Sequence, residues 1–457
     1  MRYPILIFLF LSIQMSAQEE MTLLGRWVDT NLVASRAHDN VYNEIWGLAI
    51  NDREFAVIGT TYGTHFIDVT DPLSPKEAVR VPGKAQGTSV VHRDYHNIGR
   101  YLYAVCDEGP STLQIMDIGG LPDTVRLLYD SDELIQRSHN IFIDTSSSLL
   151  FSCATNGTQI GSAALSVFDI KDPVDPKHIE NFRDFGDIRA GHVHDIYVRS
   201  DTGYLNCGYD GFAIADFSNP DTPVTITTLK PNEYPESGYN HSGWLSDDGT
   251  HYYMADENHG HALKALSTAN YNDVFTETTF DANSPDSNSI AHNPLVACDY
   301  LFVAYYYDGL QVFDISDPSS PKRAFFYPTS QISNDRRYKG AWGVYPYLPS
   351  GNILVSDMQQ GLYVLEAIDE CDLPGDGKIV TNSILENKQH LKAFPNPADQ
   401  MLIVKGIKKG SLLEIFNMEG ILVEQLKYSG DPIQVTSYPT GSYIIRTAGT
   451  SLRFIKN

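Results

Sequence analysis

Histidine recurs in this chain as the first member of a short polar pair: His139-Asn140, His194-Asp195, His241-Ser242 and His292-Asn293, spaced 47 to 55 residues apart. Neutral imidazole nitrogens converging from separate segments form a donor set suited to a divalent metal such as Zn²⁺. A nearby carboxylate then serves as a further ligand or orients a ligating ring. Asp195 supplies one such carboxylate, and Asp94 of the pair Arg93-Asp94 stands at the same place in an earlier segment. His192 lies two residues before His194, on the same face of an extended chain. A second group, Asp256-Glu257-Asn258-His259, sets carboxylates and an imidazole on one loop, a pattern suited to Ca²⁺ or a transition metal. Neither group has the compact spacing of H-E-x-x-H. The same residues also fit a structural role, with each histidine bonded to a neighbouring carbonyl and the acidic run forming a solvated turn.

These residues need a scaffold with a period near theirs, and the chain has one. Five segments run an apolar strand into an aspartate: THFIDVTDPLSPKEAV, LQIMDIGGLPDTVRLL, LSVFDIKDPVDPKHIE, FAIADFSNPDTPVTIT and LQVFDISDPSSPKRAF. Their aspartates, Asp68, Asp117, Asp169, Asp216 and Asp314, are 49, 52, 47 and 98 residues apart, the last gap being two periods. Between residues 285 and 328 the pattern reads as short strands over Ile290–Pro294, Tyr300–Tyr305, Leu310–Ile315 and Arg323–Tyr327. Asp308-Gly309 marks a hairpin turn and Asp317-Pro318 a second turn. Four strands per period without helical periodicity predict an all-β fold, a β-propeller.

Opening strands occur near residues 44, 91, 138, 192, 239, 291 and 340, which predicts seven blades. The seventh ends one strand short at Glu366, and Leu23–Val28 has strand character with no blade of its own. Lending that strand to the seventh blade closes the ring and removes an exposed edge. In register the seven openings read Trp46-Gly47, Arg93-Asp94, His139-Asn140, His194-Asp195, His241-Ser242, His292-Asn293 and Trp342-Gly343. The first strand of a blade lines the central channel, so these positions are expected to form a ring. Blade five has Ala262–Ser267 where the apolar-aspartate strand is expected, which marks it as the divergent unit.

The repeat copies resemble LVIVD repeats. The runs YNHSGWLSDDG, AHNPLV and WGVYPYLPSGNILVSD resemble the bacterial "choice-of-anchor B" proteins over residues 20–368. That resemblance implies a propeller ectodomain with a variable surface anchor and no agreed activity. After a polar linker over 369–392, residues 393–457 open on Phe-Pro-Asn-Pro-Ala, carry Pro439, Gly441 and Tyr443, and end in a basic strand. They read as a small β-sandwich and resemble the C-terminal sorting domain of type IX secretion in Bacteroidetes. The resemblance implies the type IX machinery as a partner and a secreted or outer-membrane-surface location.

The chain's beginning agrees with export. Arg2 precedes an apolar run from Ile5 to Leu11 and small residues at Ser16-Ala17, a signal-peptide pattern over residues 1–17 too short to span a bilayer. No other stretch is apolar enough for a transmembrane segment. The formal charge of −24 argues against nucleic acid as a partner. That charge is uneven: from Ser383 onward nine Lys and Arg face six Asp and Glu, so the acidity belongs to the body. Five cysteines, Cys106, Cys153, Cys207, Cys298 and Cys371, are expected as buried thiols rather than a disulfide framework. Tyr305-Tyr306-Tyr307 has the aromatic character to stack a sugar or peptide, or to pack between blades. No G-x-S-x-G elbow, phosphate-binding loop or dinucleotide fingerprint is present. Three functions remain open: a binding module for an extracellular protein or glycan, a metal-dependent hydrolase with Asp195 or Glu257 as base, or a structural surface protein.

Overall fold

The computed structural model describes residues 19–282, 289–334, 336–368, 392–394, 398–405, 409–417, 421–447 and 450–456. The expected signal peptide, nearly all of the linker and Cys371 lie outside the described residues. The chain divides into two compact units, Met1–Thr381 and Asn382–Asn457.

The first unit is built of antiparallel meanders of four strands. The fourth sheet is representative: Asp195–Arg199, Thr202–Asn206, Phe212–Asp216 and Val224–Leu229 pair in sequence order. The first strands of the sheets are Tyr42–Ile50, Arg93–Ile98, Ile141–Asp144, Asp195–Arg199, Asn240–Leu245, Asn293–Ala297 and Ala341–Tyr345. Each touches the next, and Ala341–Tyr345 also touches Tyr42–Ile50. In the seventh sheet the outermost strand is Leu23–Trp27, paired antiparallel to Gly361–Leu365 through Leu23↔Leu365 and Trp27↔Leu362. Glu19–Glu20 adds a fifth, parallel strand beside Lys322–Tyr327 in the sixth. The sixth sheet's first strand begins at Asn293, three residues later than the sequence pattern suggested.

Strand alternation sends apolar side chains into the seams between sheets. One seam joins Phe151, Val167, Leu205, Ala213 and Phe217, all at 0% exposure. Truncating a phenylalanine in such a place costs about 3–5 kcal/mol. The repeat aspartates end the third strands, where each Oδ1 accepts the backbone N–H two residues on: Thr70 for Asp68, Gly119 for Asp117, Lys171 for Asp169, Ser218 for Asp216 and Ser316 for Asp314. These Asx turns start the bend into the fourth strand. The third and fourth strands also share a recurrent bulge, as at Phe66/Ile67, Ile214/Ala215 and Val312/Phe313. The repeat motif therefore builds the scaffold and lies away from the first strands.

Sheet five keeps the full pattern: Leu263–Ser267 occupies the third position although its sequence departs from the repeat. Its oddity is Lys264, whose ammonium lies 2.8 Å from Asp256 with both side chains at 0% exposure. Cys106, Cys153 and Cys207 are buried free thiols, whereas Cys298 is disulfide-bonded, which corrects the expectation of thiols at that position.

The second unit has a three-stranded sheet, Lys392–Phe394, Met401–Lys405 and Ile433–Gln434, and a four-stranded sheet ordered Leu422–Lys427, Leu412–Asn417, Gly441–Thr447 and Thr450–Lys456. Leu402, Leu413, Ile415, Ile445 and Phe454 form its core. Tyr443, of the late sequence motif, donates its hydroxyl to the Pro439 carbonyl at 2.6 Å.

Candidate metal centre in a ring of histidines

The first strands begin with residues that face one another. His92, His139, His194, His241 and His292 form consecutive ring contacts, with centroids 4.3, 4.0, 4.0 and 4.4 Å apart. Trp342 completes the circle, 4.7 Å from His292 and 5.3 Å from His92. The histidine of the second sheet is thus His92, not the neighbouring Arg93 expected from the sequence register. Arg93 turns away, donating from Nε to the Thr60 carbonyl and from its terminal nitrogen to Ala85. The signal was present as Val91-His92, but the expected register falls one residue late, on Arg93, where the strand begins.

Two of the rings are oriented by the next sheet. His194 Nδ1 donates to the His241 carbonyl at 3.0 Å and His292 Nδ1 to the Trp342 carbonyl. His241 Nδ1 is buried without a hydrogen-bond partner among the described residues. His139 Nδ1 meets Asp107 Oδ2 at 2.8 Å. A carbonyl only accepts, so it fixes the proton on Nδ1 and leaves the Nε2 lone pair free. Burial pushes His92, His194 and His241 well below the usual histidine range and His292 down to about 3, so these four are neutral at pH 7. Burial opposes charge on His139 too, but Asp107 outweighs it and raises that ring, while Asp107 falls to about 2. His139 is also the most open of the five, with 20% of its side chain exposed.

Three groups of donors each fit within 4.8 Å: His139, His194 and His241; His92, Asp107 and His139; and His241, Glu257 and His292. A neutral imidazole has one lone pair, so His139 and His241 each serve one ion at a time and the groups compete. Glu257, expected on a surface loop, reaches the ring instead. Its carboxylate lies 3.9 Å from His241 Nε2 and 4.0 Å from His292 Nε2 and accepts the Tyr306 hydroxyl at 2.6 Å. Burial pushes Glu257 up to about 7.

Its loop neighbours do not join it. Asp256 is bound to Lys264, and His259 packs on Tyr338 at 6.0 Å. His192 bonds the Tyr239 hydroxyl and sits 6.2 Å from the His194 ring. Tyr305, Tyr306 and Tyr307 are at most 7% exposed, so they support the site from behind rather than stacking a ligand.

One residue along the strands, Asp94, Asn140, Asp195, Ser242 and Asn293 line a separate cavity together with Glu44. Asp94 Oδ2 accepts the Ile141 N–H at 2.6 Å, and Asp195 is bonded by the Asn140 side chain and the Ile196 N–H. Sequence alignment put Trp46-Gly47 in this register. The structure puts Glu44 there, because the first strand opens with a bulge between Tyr42 and Ile45. Gly343 makes room for it, since a Cβ at that position would lie 2.4 Å from Glu44 Oε1.

Residues 291–329 match the LVIVD repeat model and residues 392–457 the secretion system C-terminal sorting domain. The chain carries both. No curated protein matches it significantly. Among solved structures, the RRP9 WD40 repeats align at 9% identity and TM-score 0.51, covering 76% of this chain and 97% of that one. U3-55K aligns at 9% and 0.51, covering 77% and 100%. WD40 repeats are four-stranded propeller blades, and the first unit is a β-propeller. PorZ, described as an essential bacterial surface component of the type-IX secretion system of Porphyromonas gingivalis, aligns at 10% identity and TM-score 0.45 over 94% of this chain. This chain spans 61% of PorZ.

Proposed function

We propose that this is a seven-bladed propeller closed by Leu23–Trp27, exported by the type IX machinery through a C-terminal β-sandwich. On this reading it works at the cell surface or beyond, binding an extracellular protein or glycan through a divalent metal at the channel. The metal is zinc, held by His139, His194 and His241. One observation carries this reading: His139, His194 and His241 each offer a donor within 4.8 Å of the others, with His139 Nδ1 held by Asp107 and His194 Nδ1 by the His241 carbonyl. Outer partners of this kind fix tautomer and aim in metal sites. Three nitrogen donors suit zinc better than calcium, which takes oxygen. Three histidine donors would hold zinc and leave it a position open to a ligand.

A second reading, metal-dependent hydrolysis, draws on Glu257. A carboxylate pushed up to about 7 beside a candidate metal is suited to take a proton from bound water.

The test is the zinc content of the mature protein and of His194→Ala/His241→Ala, with thermal unfolding of both. Stoichiometric zinc, lost in the double variant without loss of fold, is expected. No zinc uptake at micromolar free Zn²⁺ overturns the proposal, as does unfolding of the variant with no zinc in the wild type, which assigns the ring to packing.

A further inference from the structure

The first strands carry opposite chemistry beyond the histidines. A cavity of about 70 Å³ is lined by Glu44, Asp94 and Asp195 and walled by Trp46, Phe142 and Trp244. By a measure in which one water needs about 10–15 Å³, it holds a small head group. Its lining contains no lysine or arginine, and among the described residues none of the three carboxylates makes an ion pair. Neutral groups alone bond them: Glu44 accepts from Trp342 Nε1 and Asn293 Nδ2, both at 3.2 Å, Asp94 from the Ile141 N–H, and Asp195 from Asn140. Burial makes all three carboxyl groups costly to ionise and raises each of them, so a cation seated in the cavity is what would hold them charged.

What kind of cation follows from the walls. The three carboxylates are not among the groups whose oxygens lie within 4.8 Å of one another, so they do not grip a bare metal ion directly. The lining is also aromatic: Phe142 lies 6.1 Å from Trp244 edge to face, and Trp46 lies 4.5 Å from His96, which in turn lies 4.9 Å from Phe142. Trp faces attract ammonium groups, more strongly when desolvated. His96 is 9% exposed and lines the same cavity. Its Nδ1 reaches the Asn97 carbonyl at 3.4 Å, and its Nε2 has no hydrogen-bond partner among the described residues. A neutral Nε2 accepts the N–H of a primary ammonium.

We infer that this cavity is a binding site for an organic ammonium group, such as an alkylamine, held between the carboxylates of Glu44, Asp94 and Asp195 and the rings of Trp46, Phe142 and Trp244. It is separate from the histidine site and does not depend on a metal there.

The probes are cadaverine and choline, titrated into the mature full-length protein by calorimetry and by the fluorescence of Trp46 and Trp244. Saturable binding is expected, weakened at least about tenfold in Glu44→Gln/Asp195→Asn and unchanged in His194→Ala/His241→Ala. Phe142→Leu, which keeps every carboxylate, weakens binding severalfold and serves if the double variant does not fold. Absence of saturable binding by either amine overturns the inference. So does binding unaltered in both variants, and so does Ca²⁺ binding that displaces the amines at lower concentration and is lost with the carboxylates.

Discussion

Asp107 is the sharpest lever on the histidine site because its side-chain hydrogen bond there goes to one member, His139. It is 38% exposed and meets His139 Nδ1 at 2.8 Å, so its removal leaves the seams between sheets intact. A hydrogen bond to a charged group contributes about 1.5–3 kcal/mol, and each 1.4 kcal/mol is a factor of ten. If that bond is what aims His139 at the ion, Asp107→Ala weakens zinc affinity by about 10- to 100-fold, the range found for outer partners of ligating histidines. Asp107→Asn keeps an acceptor oxygen and loses only the charge, so it falls between wild type and alanine. Competition against a chromophoric chelator at pH 7.5 reads both values, and far-UV dichroism checks the fold. Equal affinity in all three proteins refutes the reasoning, since His139 would then be held by its neighbours alone. A loss larger in Asp107→Asn than in Asp107→Ala also refutes it, because it reverses the order that charge and geometry require.

Two further expectations concern the scaffold. Lys264→Met leaves the Asp256 carboxylate buried without its cation and costs about 3–5 kcal/mol, with most of that recovered in Asp256→Asn/Lys264→Met; urea unfolding of the three proteins measures it. At Asp117 burial favours the neutral acid, but Arg126 and Arg100 outweigh it and hold the carboxyl below its usual range. Its stabilisation is therefore present above the unfolded-state value of about 3.9 and is lost as pH falls through the folded value. The stability gap between wild type and Asp117→Asn should be full at pH 7 and shrink toward pH 2, and a gap independent of pH contradicts this.

The scaffold was legible because its signals are local. The apolar run, the aspartate and the proline that follows write one strand and one turn at each copy, and the Asx bonds of Asp68 through Asp314 show why the aspartate recurs. The histidine register was legible at His139, His194, His241 and His292, at His241 even though its strand carries an irregularity between Asn240 and Ser242. It failed at Glu44, where a bulge between Tyr42 and Ile45 slips the pairing and changes which side chain faces the axis, and at His92, which stands one residue before its strand begins. Glu257 was seen for its chemistry and placed on the wrong surface. Nothing local says that the Tyr306 hydroxyl, 49 residues on, draws its carboxylate inward.

A propeller lets one strand carry unrelated chemistries at successive heights. First-strand residues such as Ile196, Val198 and Tyr95 join the seams with those of the second and third strands, whereas the residues presented to the axis lie outside these clusters, so exchanging one of the latter leaves the seam side chains in place. That independence explains how neutral imidazoles at one level sit one residue from unpaired carboxylates at the next, in His194-Asp195, without either set neutralising the other. If His194 served only to pair with acid below it, its Nδ1 would face Asp195. It donates to the His241 carbonyl instead, at 3.0 Å, and Asp195 is left to Asn140 and Ile196. The two levels are thus wired sideways, around the ring, rather than along the axis. A pair of sites that bind a soft divalent ion and an organic cation independently is what such wiring permits, whereas a single proton or ion relay through the channel would require bonds between the levels.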